Sequence, residues 1–119
     1  MDFKLITNKE NLIVKLTFEF SISLISFCEE LNKQRKYDLS RQLLRAGTSI
    51  GANTMEAQNA ESRADFIHKF KIAVKEANET AYWLMLCQQA PSYPFDPFLL
   101  SQLESILKVI NKIIKTAKS

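Results

Sequence analysis

Apolar residues recur along this chain at intervals of three and four, the period of a helix with one buried face. Ile13, Leu16, Phe20, Leu24, Phe27 and Leu31 mark a first such run, predicting a helix from about Asn8 to Lys33. A second apolar line, Val14, Phe18, Ile22 and Ile25, follows the same helix on another side. Either the core stripe is wide or the second line meets another copy of the chain. After a turn around Gln34 to Asp38, with Asp38 expected as N-cap, a second helix is predicted from Leu39 to about Ala60. It is rich in small residues, from Ala46 and Gly47 through Gly51 and Ala52 to Ala57 and Ala60, which lets neighbouring helices approach closely.

Ser62, with Asp65 three residues later, has the spacing of a capping box and opens a third helix that ends near Ala90. Phe66, Phe70, Ala73, Ala77, Ala81 and Leu84 form its seam. Tyr82, Trp83, Met85 and Leu86 make its last turns apolar nearly all round, which predicts that this end is buried. Pro91 to Asp96 reads as the longest loop; Asp96 as N-cap and Pro97 at the first helical position then start a fourth helix. Leu99, Leu103, Ile106, Leu107, Ile110, Ile113 and Ile114 are its apolar face. The pattern predicts an all-α, antiparallel up-down-up-down four-helix bundle, a single domain over residues 1–119.

Composition agrees. Only two glycines and three prolines occur in 119 residues, and the prolines cluster at 91, 94 and 97, leaving few turns. Both glycines, Gly47 and Gly51, fall inside the second helix, where each disfavours the helix by about 0.5–1 kcal/mol relative to alanine, so close packing is expected there. No window is long and apolar enough for a membrane span, and Met1 to Asn8 lacks the features of a signal peptide, so the expectation is a cytoplasmic protein. Cys28 and Cys87 stand in apolar helical contexts without metal-ligand spacing and read as small buried hydrophobes with reduced thiols.

Chemistry is sparse. His68 is the only histidine, and Asp65-Phe-Ile-His68 is a single acid-x-x-His unit where a di-iron bundle uses two. There is no nucleophile elbow and no phosphate-binding glycine loop. No catalytic residue, metal or cofactor is expected; an enzyme using Glu56, Lys69 and Glu79 would need an open pocket at those residues. Arg45, Ser49, Asn53 and Glu56 recur as one polar stripe on the second helix. In an antiparallel pair turning near Glu61, facing residue numbers sum to about 122, which places the stripe opposite Lys69, Glu76 and Glu79. A register-fixing polar network is the favoured reading over a ligand site.

Net charge is only +3, but the cations are grouped. Lys33, Arg35, Lys36, Arg41 and Arg45 surround the first turn, and Lys108, Lys112, Lys115 and Lys118 line one face of the last helix over about 15 Å. Arg35, Lys36, Arg41, Lys108, Lys112 and Lys115 are the candidate contacts to nucleic-acid phosphates; a solvated lysine face is the bland alternative.

The segments Gln42-Leu-Leu-Arg-Ala-Gly-Thr-Ser-Ile-Gly-Ala-Asn53, Glu56-Ala57, Asp65-Phe66 and Lys75-Glu-Ala-Asn-Glu-Thr-Ala-Tyr-Trp-Leu84 resemble the bacterial four-helix-bundle proteins encoded in intervening sequences of large-subunit ribosomal RNA genes. The chain departs from that pattern at Gly51, where many members carry proline, and at Ala57, where many carry glycine. The resemblance implies an up-down bundle assembling into homopentameric rings, with no defined reaction. It also implies a relation to the accessory variability determinant of diversity-generating retroelements, a basic pentamer that binds nucleic acid and a reverse transcriptase. The expectation is therefore a non-enzymatic homo-oligomer, a pentamer, whose repeated basic surface binds structured RNA or DNA. The rival is a protein-interaction scaffold with no nucleic-acid role; neither involves a membrane.

Overall fold

A computed structural model describes residues 11–119. Among them are four helices, α1 (Leu12–Lys33), α2 (Tyr37–Ala57), α3 (Arg63–Gln89) and α4 (Pro97–Lys118), and no strand. The expected start of the first helix near Asn8 lies outside the described residues. Each helix packs on its neighbours in the chain and α4 closes back on α1, giving an elongated body of 45 × 26 × 20 Å.

Cross-helix pairs fix the directions. Asn11 Nδ2 donates to Gln58 Oε1 at 3.0 Å, while Ser40 Oγ donates to the Cys28 carbonyl at 3.2 Å, so α1 and α2 run antiparallel. Arg45 meets Glu76 and Glu79, and Glu56 meets Lys69, so α2 and α3 do likewise in the register expected from their short connection. Lys118, at the end of α4, shares a hollow with Ala64, Ile67, His68 and Lys71 near the start of α3, which makes α4 antiparallel to α3. The topology is up-down-up-down.

Phe20, Leu24 and Leu31 of α1 meet Leu43 and Ile50 of α2, Phe70 and Leu84 of α3, and Leu99, Leu103, Ile106 and Ile110 of α4 in one continuous core. Cys28 and Cys87 are buried and free. Burial pushes both thiols up, Cys87 to about 11, so they stay protonated at neutral pH. Three buried hydroxyls are satisfied within their own helices: Thr17 donates to Ile13 O, Thr54 to Ile50 O and Thr80 to Glu76 O, all under 3.0 Å.

Two expectations about helix ends need correction. Asp38 is not the N-cap of α2; the helix begins at Tyr37, with Lys36 at the cap making no side-chain bond. The cause lies in how α1 stops. Arg35 adopts a left-handed backbone, φ 62°, and the Lys36 and Arg35 N–H groups bond to Leu31 O and Asn32 O at 2.8 and 3.0 Å. This double closure is a Schellman motif, and it turns the chain so sharply that α2 starts two residues early. Asp38 then sits in the first turn, favourably placed for the helix dipole, and pairs with Arg41. At its other end α2 stops at Ala57, because Gln58, Asn59 and Ala60 each donate to the carbonyl three residues back and tighten the last turn. Ser62 caps α3 and Asp96 caps α4 with Pro97 following, as their residue types dictate.

The far end of α3 is not enclosed. Leu84 and Cys87 take the core face, and Trp83 is half-buried, but Tyr82, Met85 and Leu86 are 53%, 48% and 39% exposed. Two flanking helices cover one side of α3, and these three residues lie on the other. The second apolar line of α1 divides similarly: Val14 joins the core, while Phe18, Ile22 and Ile25 remain 44%, 52% and 41% exposed.

Candidate nucleic-acid interface

Lys108, Lys112, Lys115 and Lys118 occupy the outward face of α4 because the opposite face, Leu99 to Ile110, is held in the core. All four are exposed. Lys108 meets Glu104 at 3.5 Å, both side chains largely in solvent, a pair worth about 0.5 kcal/mol or less. The bundle adds cations that the linear pattern did not assign to this surface. Lys118 lies across a hollow of about 330 Å³ from His68 and Lys71 of α3, and Lys75 follows one turn further along the same exposed side. Helical spacing in α3, taken with the expected antiparallel bundle, could have found Lys71 and Lys75; the register that brings Lys118 to His68 and Lys71 is what the structure adds.

Arg35, Lys36 and Arg41 lie elsewhere. Lys36 Nζ donates to Ser92 Oγ at 3.2 Å and sits 4.7 Å over the Tyr93 ring, which puts the α1–α2 turn beside the start of α4. Lys108 to Lys118 are about 17–32 Å farther down that helix. The six candidate phosphate contacts are thus two groups at different ends of the bundle rather than one surface. Arg41 pairs with Asp38, and Arg35 projects from the Schellman turn with no ion partner among the described residues.

The polar stripe of α2 also divides. At one end Arg45 bridges Glu76 Oε2, at 3.6 Å, and Glu79, and it also donates to Gln42 Oε1 at 3.0 Å. Glu79 further accepts from Trp83 Nε1 at 3.0 Å. The indole hydrogen bond chiefly holds the Glu79 carboxyl below its ordinary range; burial opposes it, and the Arg45 hydrogen bond and charge add to the lowering. At the other end Glu56 meets Lys69 at 3.8 Å. Between them Ser49 and Asn53 turn back on their own helix, donating to Arg45 O at 2.8 Å and Ser49 O at 2.9 Å. Instead of one continuous network there are two clasps joined by self-satisfied residues, because a hydroxyl or short amide four residues from a helical carbonyl finds it more easily than a partner across the groove. Glu56, Lys69 and Glu79 therefore do not converge on one hollow.

A further hollow, about 680 Å³, opens between the start of α2 and the end of α3. Leu39, Trp83, Leu86 and Tyr93 form its apolar lining, with Asp38, Arg41, Gln42 and Gln89 at its margin. On another side of the molecule, Phe18 lies with Val14 and Ser21 against Thr48, Ala52 and Met55 in a groove between α1 and α2. Ile22 and Ile25 continue the α1 side of that groove, and exposed Leu44 the α2 side. No described helix is long and apolar enough to cross a membrane.

Comparison with known proteins agrees with this architecture. The profile of the family described as 23S rRNA-intervening sequence protein matches residues 9–116, and the chain belongs to that family. A crystal structure of a protein with unknown function from the S23 ribosomal protein family, from Bacteroides thetaiotaomicron, is similar to it at 41% identity and a TM-score of 0.84, over 90% of this chain and 98% of that one. Neither description names a reaction. No functionally curated protein matches the sequence.

Proposed function

We propose that this member of the 23S rRNA-intervening sequence protein family is a non-enzymatic homo-oligomer, a pentamer as its central segment implies by resemblance, that offers a repeated basic surface to structured RNA or DNA. The observation that carries the reading is the α3–α4 side, where Lys108, Lys112, Lys115 and Lys118 stand exposed and Lys118 adjoins Lys71, with Glu104 the one acid paired to these lysines among the described residues. Lysines on a rigid helix are point charges about 5–6 Å apart, suited to successive phosphates and indifferent to base sequence. Self-association is supported by Phe18, Ile22, Ile25 and Leu44, an uncharged exposed strip on a different side of the bundle from the lysines. Repeating a weak phosphate contact around a ring raises its effective strength by avidity.

The test is Lys108→Glu with Lys112→Glu and Lys115→Glu, read by fluorescence anisotropy of a labelled RNA hairpin and a DNA duplex. Loss of binding with unchanged helicity and mass is expected. Binding unaffected by the reversal would refute the lysine face. No binding by the unaltered protein at low salt would favour the scaffold reading, in which a protein partner is held and the lysines are solvated.

A further inference from the structure

We propose that the hollow between the start of α2 and the end of α3 binds an unpaired nucleotide, its base against the apolar lining and its phosphate on the cationic margin. The proposal rests on the nucleic-acid reading above but uses a different site, at the opposite end of the bundle from Lys118. At about 680 Å³ the hollow lies within the range of small-ligand sites and exceeds the volume of one nucleobase. Its lining supplies what a flat π-system needs: the Trp83 indole, the Tyr93 ring, and the aliphatic walls of Leu39 and Leu86. Trp83 is held in place by its bond to Glu79 and by the edge-on Tyr82 ring, at a centroid distance of 5.3 Å. A stacking surface that is already fixed loses little freedom when a base lands on it.

The margin selects the occupant. Gln89 presents a donor and an acceptor, and Gln42, whose Oε1 already accepts from Arg45, presents its amide donors, which a base edge can use. Arg41 is tied to Asp38 only by a pair in which both side chains are mostly in solvent, so its guanidinium can turn to a phosphate with little loss. Lys36 stands beside Tyr93 and Arg35 lies in the adjoining turn, so with Arg41 three cations stand near the hollow against Asp38 in its lining and Glu79, whose carboxylate is bonded to Trp83 and already paired with Arg45. An apolar strip such as the Phe18 to Ile25 line of a second copy has no charge to match them. A nucleotide joins a flat apolar body to an anion, which is the complement of this hollow.

Trp83 is the only tryptophan, so its fluorescence reports on the site directly. The full chain is titrated with a single-stranded octanucleotide RNA, with a blunt RNA duplex of equal length, and with an acidic leucine-containing peptide, following Trp83 emission together with anisotropy of each labelled ligand. The single strand should quench Trp83 saturably and the duplex should not. Leu86→Glu, an exposed position whose change places a carboxylate at the mouth, should weaken single-strand binding about tenfold or more, the loss expected for removing a stacked base, with mass by light scattering unchanged. Binding of both nucleic acids without any Trp83 response overturns the pocket and leaves the lysine face standing; binding of neither refutes the nucleic-acid reading itself. Quenching by the peptide alone, or a Leu86→Glu variant whose only change is its subunit number, overturns the proposal in favour of a protein contact.

Discussion

Replacing the two glycines of α2 with alanine should change stability in opposite directions. Both substitutions remove the backbone freedom of glycine from a helix interior, which is worth about 0.5–1 kcal/mol in favour of alanine. At Gly51 nothing opposes this gain: an added Cβ would meet Ser21 Oγ, Thr17 Cβ and Thr17 O, each at 3.6 Å, which is ordinary contact. Gly51→Ala is therefore expected to stabilise by about 0.5–1 kcal/mol. At Gly47 the added carbon would fall 2.0 Å from Leu24 Cδ2 and 3.5 Å from Phe20 Cε2. Leu24 and Phe20 are fully buried, so the leucine cannot swing aside without displacing other core residues. Overpacking of that kind costs about 1–3 kcal/mol and outweighs the gain. Gly47→Ala should end about 1 kcal/mol less stable than the parent, leaving the two variants about 2 kcal/mol apart. For a chain of this length that separates their midpoints by roughly 6–12 °C. Thermal unfolding followed by circular dichroism at 222 nm, at one protein concentration because association would add stability, measures the difference. A Gly47→Ala variant as stable as Gly51→Ala would show that the Leu24 contact does not constrain the bundle and would refute the packing argument.

The depressed Glu79 carboxyl contributes stability that is fully present above the ordinary carboxylate range and is lost as pH falls through its lower folded value; the urea midpoint should hold from pH 7 to about 5 and then drop, and Glu79→Gln should flatten part of that drop. An unchanged profile in the variant would count against the Trp83 and Arg45 contacts as its source. Arg35→Gly relieves a left-handed backbone at an exposed position and should stabilise the chain by about 0.5–1 kcal/mol, measured by urea unfolding; a destabilised variant would mean that the Arg35 side chain makes a contact of its own. Under the proposed self-association, Ile22→Lys on the exposed strip of α1 should reduce the mass seen by light scattering toward that of one chain while leaving the far-UV spectrum intact, and an unchanged mass would refute this strip as the contact.

Much of the fold could be read from the sequence because a few spacings admit one answer. The Ile13 to Leu31 and Leu99 to Ile110 lines mark the core face of each of those helices, and the turn between Ala57 and Ser62 is too short for anything but an antiparallel partner. Arg45 could thus be placed against Glu76 and Glu79 by counting. Where counting failed, local geometry decided: Asp38 has a good capping side chain, yet the closure of α1 through Arg35 starts the next helix before it. Ser49 and Asn53 have the right spacing for a cross-helix network, but a carbonyl of their own helix lies nearer. The candidate site was legible as lysines on α4 and not as a surface, since the six-residue loop from Pro91 to Asp96 leaves open the register that sets Lys118 beside Lys71. The apolar end of α3 carried too little information to separate core from contact surface; Tyr82, Met85 and Leu86 have core composition and exposed positions.

The basic surface is tested most directly by the salt dependence of binding to a DNA duplex. If four of the α4 and α3 lysines each neutralise a phosphate in one subunit's footprint, the logarithm of the binding constant should fall with the logarithm of salt concentration at a slope of about −3.6 or steeper, and reversing Lys108, Lys112 and Lys115 should flatten it by about 2.7. A slope near zero, or one that the reversal leaves unchanged, would contradict the account.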